Sequence, residues 1–289
     1  MRRAAPIQIR GRPFDFQPFF EPVLTDKTMR NSNRPLPTPD RPNFYGRRGS
    51  RPLKDSRRAL VDELLPKIGI TYPDQAGVDP NDYFGEKHDQ LWLEIGFGGG
   101  EHLAGQAQAN PQIGIIGAEP FMDGVGSLLR HIDERGLSNV RIIADDSRPL
   151  LYKLVDACFD RAFLLFPDPW PKKRHAERRF IGPKNLALLA RLLKDGAEFR
   201  VASDDMQYIS WTLQHMHNHR DFEWLAESPE DWRNPPADWV KPGMNKKRYA
   251  RVKNAIICGS GVKTALDRLM QKFWLARAKV SPFARVSFG

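Results

Sequence analysis

The chain has 289 residues, 40% of them hydrophobic, and a formal charge of +10 at pH 7. That length suits one domain with appendages, and the absence of an apolar run of roughly 18 residues excludes a membrane span. The polar sequence after Met1 does not resemble a secretory signal, and Cys158 and Cys258 form neither a disulfide framework nor a zinc motif, so we expect a soluble cytoplasmic protein with packed, reduced thiols.

The positive charge is concentrated at the two ends of the chain. Residues 1–58 contain 14 Lys and Arg against 5 Asp and Glu, and residues 241–289 contain 12 against 1. The remaining residues are acidic, with 19 against 29. Basic ends favour an anionic partner, although such segments are often only solvated surface.

The chain begins with an extension that is unlike a folded domain. Residues 1–42 contain eight prolines and no sustained apolar period, which predicts disorder, and Met29 is a second candidate start. Residues 43–70 are basic, with aromatic residues interleaved, and then carry apolar residues at helical spacing. We interpret them as an RNA-facing arm that leads into a first helix.

Residues 71–240 alternate short apolar strands with amphipathic helices, which predicts one domain. This alternation indicates a Rossmann-like α/β fold, with a mostly parallel sheet covered by helices on both faces. Ligands of such sheets bind at the carboxyl ends of the strands, near the switch in strand order. The strand-like segments are LWLEIG (91–96), IGIIGAE (113–119), VRIIA (140–144), RAFLLF (161–166) and EFRVAS (198–203).

The first strand runs into a glycine-rich turn. Glu94, Gly96, Gly98 and Gly100 form an E-x-G-x-G-x-G pattern, and glycines let a ligand lie against the backbone. A dinucleotide fold would show GxGxxG instead, so a nicotinamide oxidoreductase is disfavoured. The tighter spacing resembles motif I of methyltransferases that use S-adenosylmethionine.

Acidic residues follow the next two strands. Glu119 can accept both hydrogen bonds of a ribose diol, and a carboxylate at Asp145 or Asp146 can accept from the amine of adenine. Each acid alone is also compatible with helix capping, which we favour for Asp145. Taken together, these positions predict a cofactor site that comprises Glu94, Gly96, Gly98, Glu119 and Asp146.

The fourth strand ends in Pro167-Asp168-Pro169-Trp170-Pro171-Lys172-Lys173-Arg174-His175. With this segment, residues 43–240 resemble the bacterial tRNA (guanine-N7)-methyltransferase family. The resemblance implies S-adenosylmethionine as cofactor, tRNA as partner and methylation of a guanosine in the variable loop. We expect no membrane partner and a monomer or homodimer.

The resemblance also implies the residues that act on the substrate. Asp168 would be catalytic, and flanking prolines fix its backbone. Lys172 and Asp204 would bind substrate, with helix capping as the alternative for Asp204. Arg174 and His175 would bind substrate too; we expect Lys173, Arg174, His175, Arg178 and Arg179 to meet phosphates, although His175 is equally compatible with a surface role.

The C-terminal tail (residues 241–289) departs from the family pattern. The family has Thr-x-Tyr/Phe-Glu where this chain has Lys241-Pro242-Gly243-Met244-Asn245-Lys246-Lys247. Degenerate codons read two bases further on permit Thr-Arg-Tyr-Glu-Gln-Lys-Ala and a later strand. We therefore hypothesise an out-of-frame tail, which resequencing tests. The alternative to an active enzyme is a catalytically impaired homologue that binds tRNA and cofactor but lacks this motif.

Overall fold

A computed structural model describes residues 53–226, 228, 231, 234, 236–240 and, as backbone only, 256–262. The predicted extension (1–42), most of the predicted arm and the rest of the tail lie outside these residues. Within the described part of the chain, no helix is both long and apolar enough to cross a bilayer.

One seven-stranded sheet organises the domain, in the order β3-β2-β1-β4-β5-β7-β6. Strands β1 to β5 are parallel to one another, while β7 runs antiparallel between β5 and β6. The α/β prediction is therefore confirmed. The strands are β1 (Gln90–Ile95), β2 (Ile113–Ala118), β3 (Val140–Ile143), β4 (Phe159–Leu165), β5 (Leu193–Ser203), β6 (Phe222–Trp224) and β7 (Ile256–Val262).

Helices separate the parallel strands along the chain. Two 3-10 helices, Pro80–Tyr83 and Lys173–Arg178, lie in the connecting loops. The α-helices are α1 (Asp55–Glu63), α2 (Leu65–Ile68), α3 (Glu101–Ala109), α4 (Met122–Arg135), α5 (Arg148–Leu151), α6 (Pro183–Leu192) and α7 (Met206–His217).

Three details differ from the sequence-based expectation. The first predicted helix is divided into α1 and α2, because Pro66 in the first turn of α2 cannot continue a helix. The alternation of strands and helices predicts a helix over residues 150–155 after the VRIIA segment, but α5 ends at Leu151, after which Leu154 forms a bridge with Val78. In the tail, residues 256–262 as printed form strand β7, which pairs with β5. The out-of-frame hypothesis placed a strand at about the same position, but with residues from the other reading frame.

The core has two apolar clusters, as expected for a sheet that is buried on both faces. Leu93 and Ile116 belong to one cluster, and Phe163 and Ile115 belong to the other. Cys158 lies in the first cluster as a free thiol, where burial raises its pKa to about 12. The prediction of a packed thiol is confirmed for Cys158, while the side chain of Cys258 lies outside the described residues.

Candidate functional site

The sheet reverses its strand order between β1 and β4, and the candidate site lies at their carboxyl ends. From β1 the chain moves outward through β2 and β3, whereas β4 and β5 lie on the other side of β1. Loops at such a switch point diverge and leave a crevice. The segments that the sequence singled out all lie at this edge: the glycine turn after β1, Glu119 after β2, Asp146 after β3, Asp168 after β4 and Asp204 after β5.

The glycine turn combines an open surface with one tight contact. Gly96, Gly98 and Gly100 have φ values of 72°, 57° and 80°, a region that residues with a side chain rarely adopt. A Cβ added at Gly96 or Gly98 would meet no atom within 4 Å, so this backbone faces open space. At Gly100 the added Cβ would lie 2.6 Å from the Cβ of Leu128. The first two glycines leave room for a ligand, and the third lets α3 pack against α4.

Glu94 is buried and contacts the first helix turn after the glycines. Its Oε2 accepts a hydrogen bond from Nδ1 of His102 at 2.7 Å, and both side chains are almost completely buried. The His102 ring packs edge-on against Phe163, with centroids 4.9 Å apart. Glu94 thus joins β1 to α3, and its contact with a cofactor stays a prediction.

Glu119 reaches across the crevice to the glycine turn. Its Oε2 accepts from the backbone N–H of Gly98 at 2.8 Å, and its Oε1 accepts from that of Phe121 at 2.9 Å. Burial raises the pKa of this carboxyl, the two N–H groups partly oppose the rise, and the charges of Asp168 and Glu94 add to it. The structure therefore brings three predicted site carboxylates close enough to interact. Each carboxylate oxygen retains a second lone pair for a ligand.

The raised pKa of Glu119 predicts opposite pH effects on folding and on cofactor binding. Because the folded protein holds this proton more tightly than the unfolded chain, ionisation costs stability above the raised pKa, and that cost disappears as pH falls towards the usual value of 4.5. Over the same range, protonation removes a charged acceptor and should weaken cofactor binding. Urea unfolding and calorimetric binding of S-adenosylhomocysteine would measure both. Glu119→Gln should abolish both pH dependences, and an unchanged pH profile in this variant would contradict the assignment.

Asp146 is engaged by a neighbouring arginine. Its Oδ2 accepts from Nη2 of Arg148 at 2.6 Å, and its Oδ1 accepts from the backbone N–H of the same residue. Asp145 accepts from the N–H of Asp146 through its Oδ1, and α5 begins after Ser147; the helix-capping role that we favoured for Asp145 stays a prediction. Tyr72 donates its hydroxyl proton to the Asp146 carbonyl at 2.6 Å. Asp146 thus lies at the crevice already oriented, and its contact with adenine stays a prediction.

Asp168 is exposed at the end of β4, in a loop with unusual backbone geometry. Phe166 and Trp170, on either side of the Pro167-Asp168-Pro169 sequence, have positive φ values of 52° and 45°. Side chains such as these adopt the left-handed region at a cost of roughly 1–3 kcal/mol each. Such strain persists only where surrounding contacts hold the loop, and it is typical of functional sites.

The basic run after Asp168 forms a 3-10 helix beside the crevice. Lys172 and Arg174 are exposed, while the Trp170 ring contacts His175 edge-on and lies under the Arg178 guanidinium, 5.0 Å away. Partial desolvation lowers the pKa of His175, and the nearby charges of Arg178, Arg174 and Lys172 lower it further. The exposed cations Lys172 and Arg174 thus lie close to His175, and a role of these residues in binding phosphates stays a prediction.

Asp204 and Asp205, which follow β5, have different surroundings. The carboxylate of Asp205 accepts from the N–H of Tyr208 at 2.8 Å and caps α7. Asp204 directly follows β5 and is exposed. The capping alternative for Asp204 is therefore wrong, and its role in substrate binding stays a prediction.

The last described residues before the tail contact β4, β5 and α3. Asp238 accepts from Arg200 at 3.0 Å and from Arg161 at 2.8 Å. Burial alone would raise the pKa of Asp238, but hydrogen bonds and charges from these two arginines lower it overall. Trp239 packs against His102, with ring centroids 5.8 Å apart. Trp239, just before the tail, thus packs against His102, the residue that donates a hydrogen bond to Glu94.

Sequence reasoning missed one residue of this site and misassigned another. His102 gave no signal, because a single histidine in a helix is most often a packed residue. Arg179 was grouped with the phosphate-binding cations, but it is 9% exposed and donates to the carbonyls of Pro169 and Trp170. That assignment is wrong, since each arginine in a basic run looks alike until the backbone around it is known.

Comparison with known proteins gives the family. The sequence profile of a family described as "Putative methyltransferase" matches residues 88–258. A tRNA (guanine-N(7)-)-methyltransferase of Rhodospirillum rubrum is 52% identical over 73% of this chain and 84% of its own length. Proteins of the same name from Ruegeria pomeroyi and Paramagnetospirillum magneticum are 49% and 46% identical, over 73% and 72% of this chain and 91% and 88% of their own lengths.

The chain belongs to the tRNA (guanine-N(7)-)-methyltransferase family. The resemblance inferred from the PDPWPKKRH segment is therefore confirmed. The profile match continues beyond Lys241 to residue 258 and so includes the first part of the tail. No comparison tests the reading frame of the tail, and that hypothesis stays a prediction.

Proposed function

We propose that this chain transfers a methyl group from S-adenosylmethionine to N7 of a guanosine in tRNA, in the variable loop. The observation that supports it best is the placement of Asp168, on its strained loop, across the crevice from the open glycine turn in a member of this family. A cytoplasmic location fits such a substrate.

The crevice fits the proposed cofactor. The exposed backbone of Gly96 and Gly98 faces open space, and Glu119 has lone pairs left for the ribose hydroxyls. Asp146 lies at the next strand end, where an adenine amine would be reached. When bound, S-adenosylmethionine supplies a methyl group on a positively charged sulfonium. The residues of the chain then need to hold the guanine in line with that group.

The reaction needs alignment and charge stabilisation more than a strong base. Guanine N7 has a lone pair and loses no proton when it is methylated, but the ring becomes cationic. The fixed carboxylate of Asp168 would stabilise that developing charge and orient the base. Lys172, Arg174, His175 and Asp204 would hold the nucleotide around it. Exposed cations beside Asp168 suit the tRNA backbone, because phosphate contacts position the substrate.

The test is transfer of a labelled methyl group to unmodified tRNA, followed by nucleoside analysis. We expect 7-methylguanosine at one position, and none when that guanosine is replaced by adenosine. A chain that binds S-adenosylhomocysteine and tRNA but transfers no label would be the impaired homologue, an alternative that the family comparison does not favour. Binding of NAD in place of S-adenosylhomocysteine would contradict the proposed cofactor.

We further propose that the tail from about residue 241 is out of frame. The same assay on a chain with the restored Thr-x-Tyr-Glu motif measures what the motif contributes. Equal activity in both chains would mean that the core and Asp168 suffice. Resequencing that finds an intact printed frame, together with soluble expression of the protein that it encodes, would reject the hypothesis. Gel filtration of the same preparations would distinguish a monomer from a homodimer.

A further inference from the structure

The loop that carries Asp168 needs an external support. Phe166 and Trp170 both have positive φ, so the backbone is unfavourable on each side of the Pro167-Asp168-Pro169 sequence. At its start, the Phe166 N–H donates to the carbonyl of Ala202 on β5 at 2.7 Å. The start of the loop is thus tied to the sheet, and another group has to hold its far side.

Arg179 provides that support. Its Nε donates to the carbonyl of Pro169 at 2.9 Å and its Nη2 to that of Trp170 at 3.2 Å. The planar guanidinium therefore bridges two successive carbonyls immediately after Asp168. It also lies over the ring of Trp211 on α7, 4.9 Å from the ring centroid.

Helix α7 carries this support to the other side of the site. The indole N–H of Trp211 donates to the carbonyl of Ile181 at 2.6 Å, which fixes the ring beneath the guanidinium. The same helix is capped by Asp205, the neighbour of Asp204. Arg179 thus connects the loop of the catalytic candidate with the helix that follows the substrate-binding candidate.

We propose that Arg179 is a positioning residue, which holds the Phe166–Trp170 loop so that Asp168 faces the substrate at a set distance from Asp204. This inference rests on the proposed function for its kinetic consequence, but its structural part does not. A lysine at this position would keep the positive charge and lose the fork that bridges the two carbonyls.

The test compares Arg179→Lys with Arg191→Lys. Arg191 also donates to two carbonyls, those of Leu151 and Leu154, but on the segment that precedes β4 at the opposite edge of the sheet. We expect Arg179→Lys to lower kcat about tenfold or more, because misplacement of a reacting group by about 1 Å has effects of that size. KM for the cofactor should change less than about twofold, and Arg191→Lys should leave kcat unchanged.

Two further measurements separate positioning from phosphate binding and from loss of the fold. The salt dependence of tRNA binding should be unchanged in Arg179→Gln, which removes the positive charge, whereas loss of a phosphate contact would reduce its slope by about one. Hydrogen exchange should accelerate in the Phe166–Trp170 loop of Arg179→Lys and stay as in the parent chain in Arg191→Lys. Trp211→Leu, which leaves Arg179 in place and removes the ring beneath it, should show a weaker form of the same pattern.

The outcomes are distinguishable from failure of the proposed function. If the parent chain makes no 7-methylguanosine, the proposed function fails, and hydrogen exchange in the loop still decides the role of Arg179. Three results would each overturn the inference. They are unchanged hydrogen exchange in both Arg179→Lys and Trp211→Leu, a kcat of Arg179→Lys equal to that of an active parent chain, and a reduced slope of the salt dependence in Arg179→Gln.

Discussion

Asp168→Asn is expected to lower the rate of methyl transfer to tRNA by about 10²- to 10³-fold, the size of effect seen when one preorganised electrostatic contact is removed from a transition state. Asparagine has the same shape as aspartate and lacks the charge that would face the cationic guanine. Since Asp168 is exposed and its charge contributes to the raised pKa of Glu119, the variant should fold normally and show a lower pKa at Glu119. Single-turnover transfer of labelled methyl measures the rate.

The matched control for this experiment is Asp156→Asn. Asp156 has a side chain that is 74% exposed and pairs with Arg191, away from the crevice. Asp156→Asn should leave the rate of methyl transfer within about twofold of the parent chain's, because exposed ion pairs contribute little. Retention of the full rate by Asp168→Asn would contradict the assignment of Asp168. A loss of thermal stability in that variant would mean that the carboxylate supports the loop instead of the reaction.

Gly98→Ala and Gly100→Ala are expected to damage the protein in different ways. Both positions have left-handed φ, so each substitution costs about 1–2 kcal/mol of stability from the backbone alone. At Gly98 the new methyl group would project into open space, so we expect a folded chain with at least about tenfold weaker binding of S-adenosylhomocysteine. At Gly100 the methyl group would collide with Leu128, and overpacking should bring the total to about 2–5 kcal/mol.

Gly136→Ala separates the backbone effect from the effect on the ligand. Gly136 ends α4 with φ of 61°, and a Cβ there meets no atom within 4 Å. It should cost as much stability as Gly98→Ala without any change in cofactor binding. Urea unfolding and calorimetric titration measure the two quantities. Undiminished binding by Gly98→Ala would mean that the cofactor does not lie against this turn.

The sequence predicted those parts of the protein that depend on neighbours along the chain. The alternation of apolar strands and helices predicts the α/β class, and the strand-to-turn transitions place Gly98, Glu119 and Asp168 at one edge of the sheet. The boundaries were less accurate where one residue changed the local preference, as Pro66 does between α1 and α2. The short strand β6 was missed, because three residues give no period to detect.

Tertiary structure alone decided which polar groups meet. Glu94 accepts a hydrogen bond from His102, Asp205 in place of Asp204 caps α7, and Arg179 donates to the carbonyls after Asp168 instead of extending into solvent. In each case the residue type was visible in the sequence and its partner was not. A hydrogen bond needs donor and acceptor about 3 Å apart with suitable angles, and that distance depends on the path of backbone segments that can be far apart in the chain. The sequence pattern therefore predicts where the site lies, whereas the packing of the elements determines which partner each of its side chains contacts.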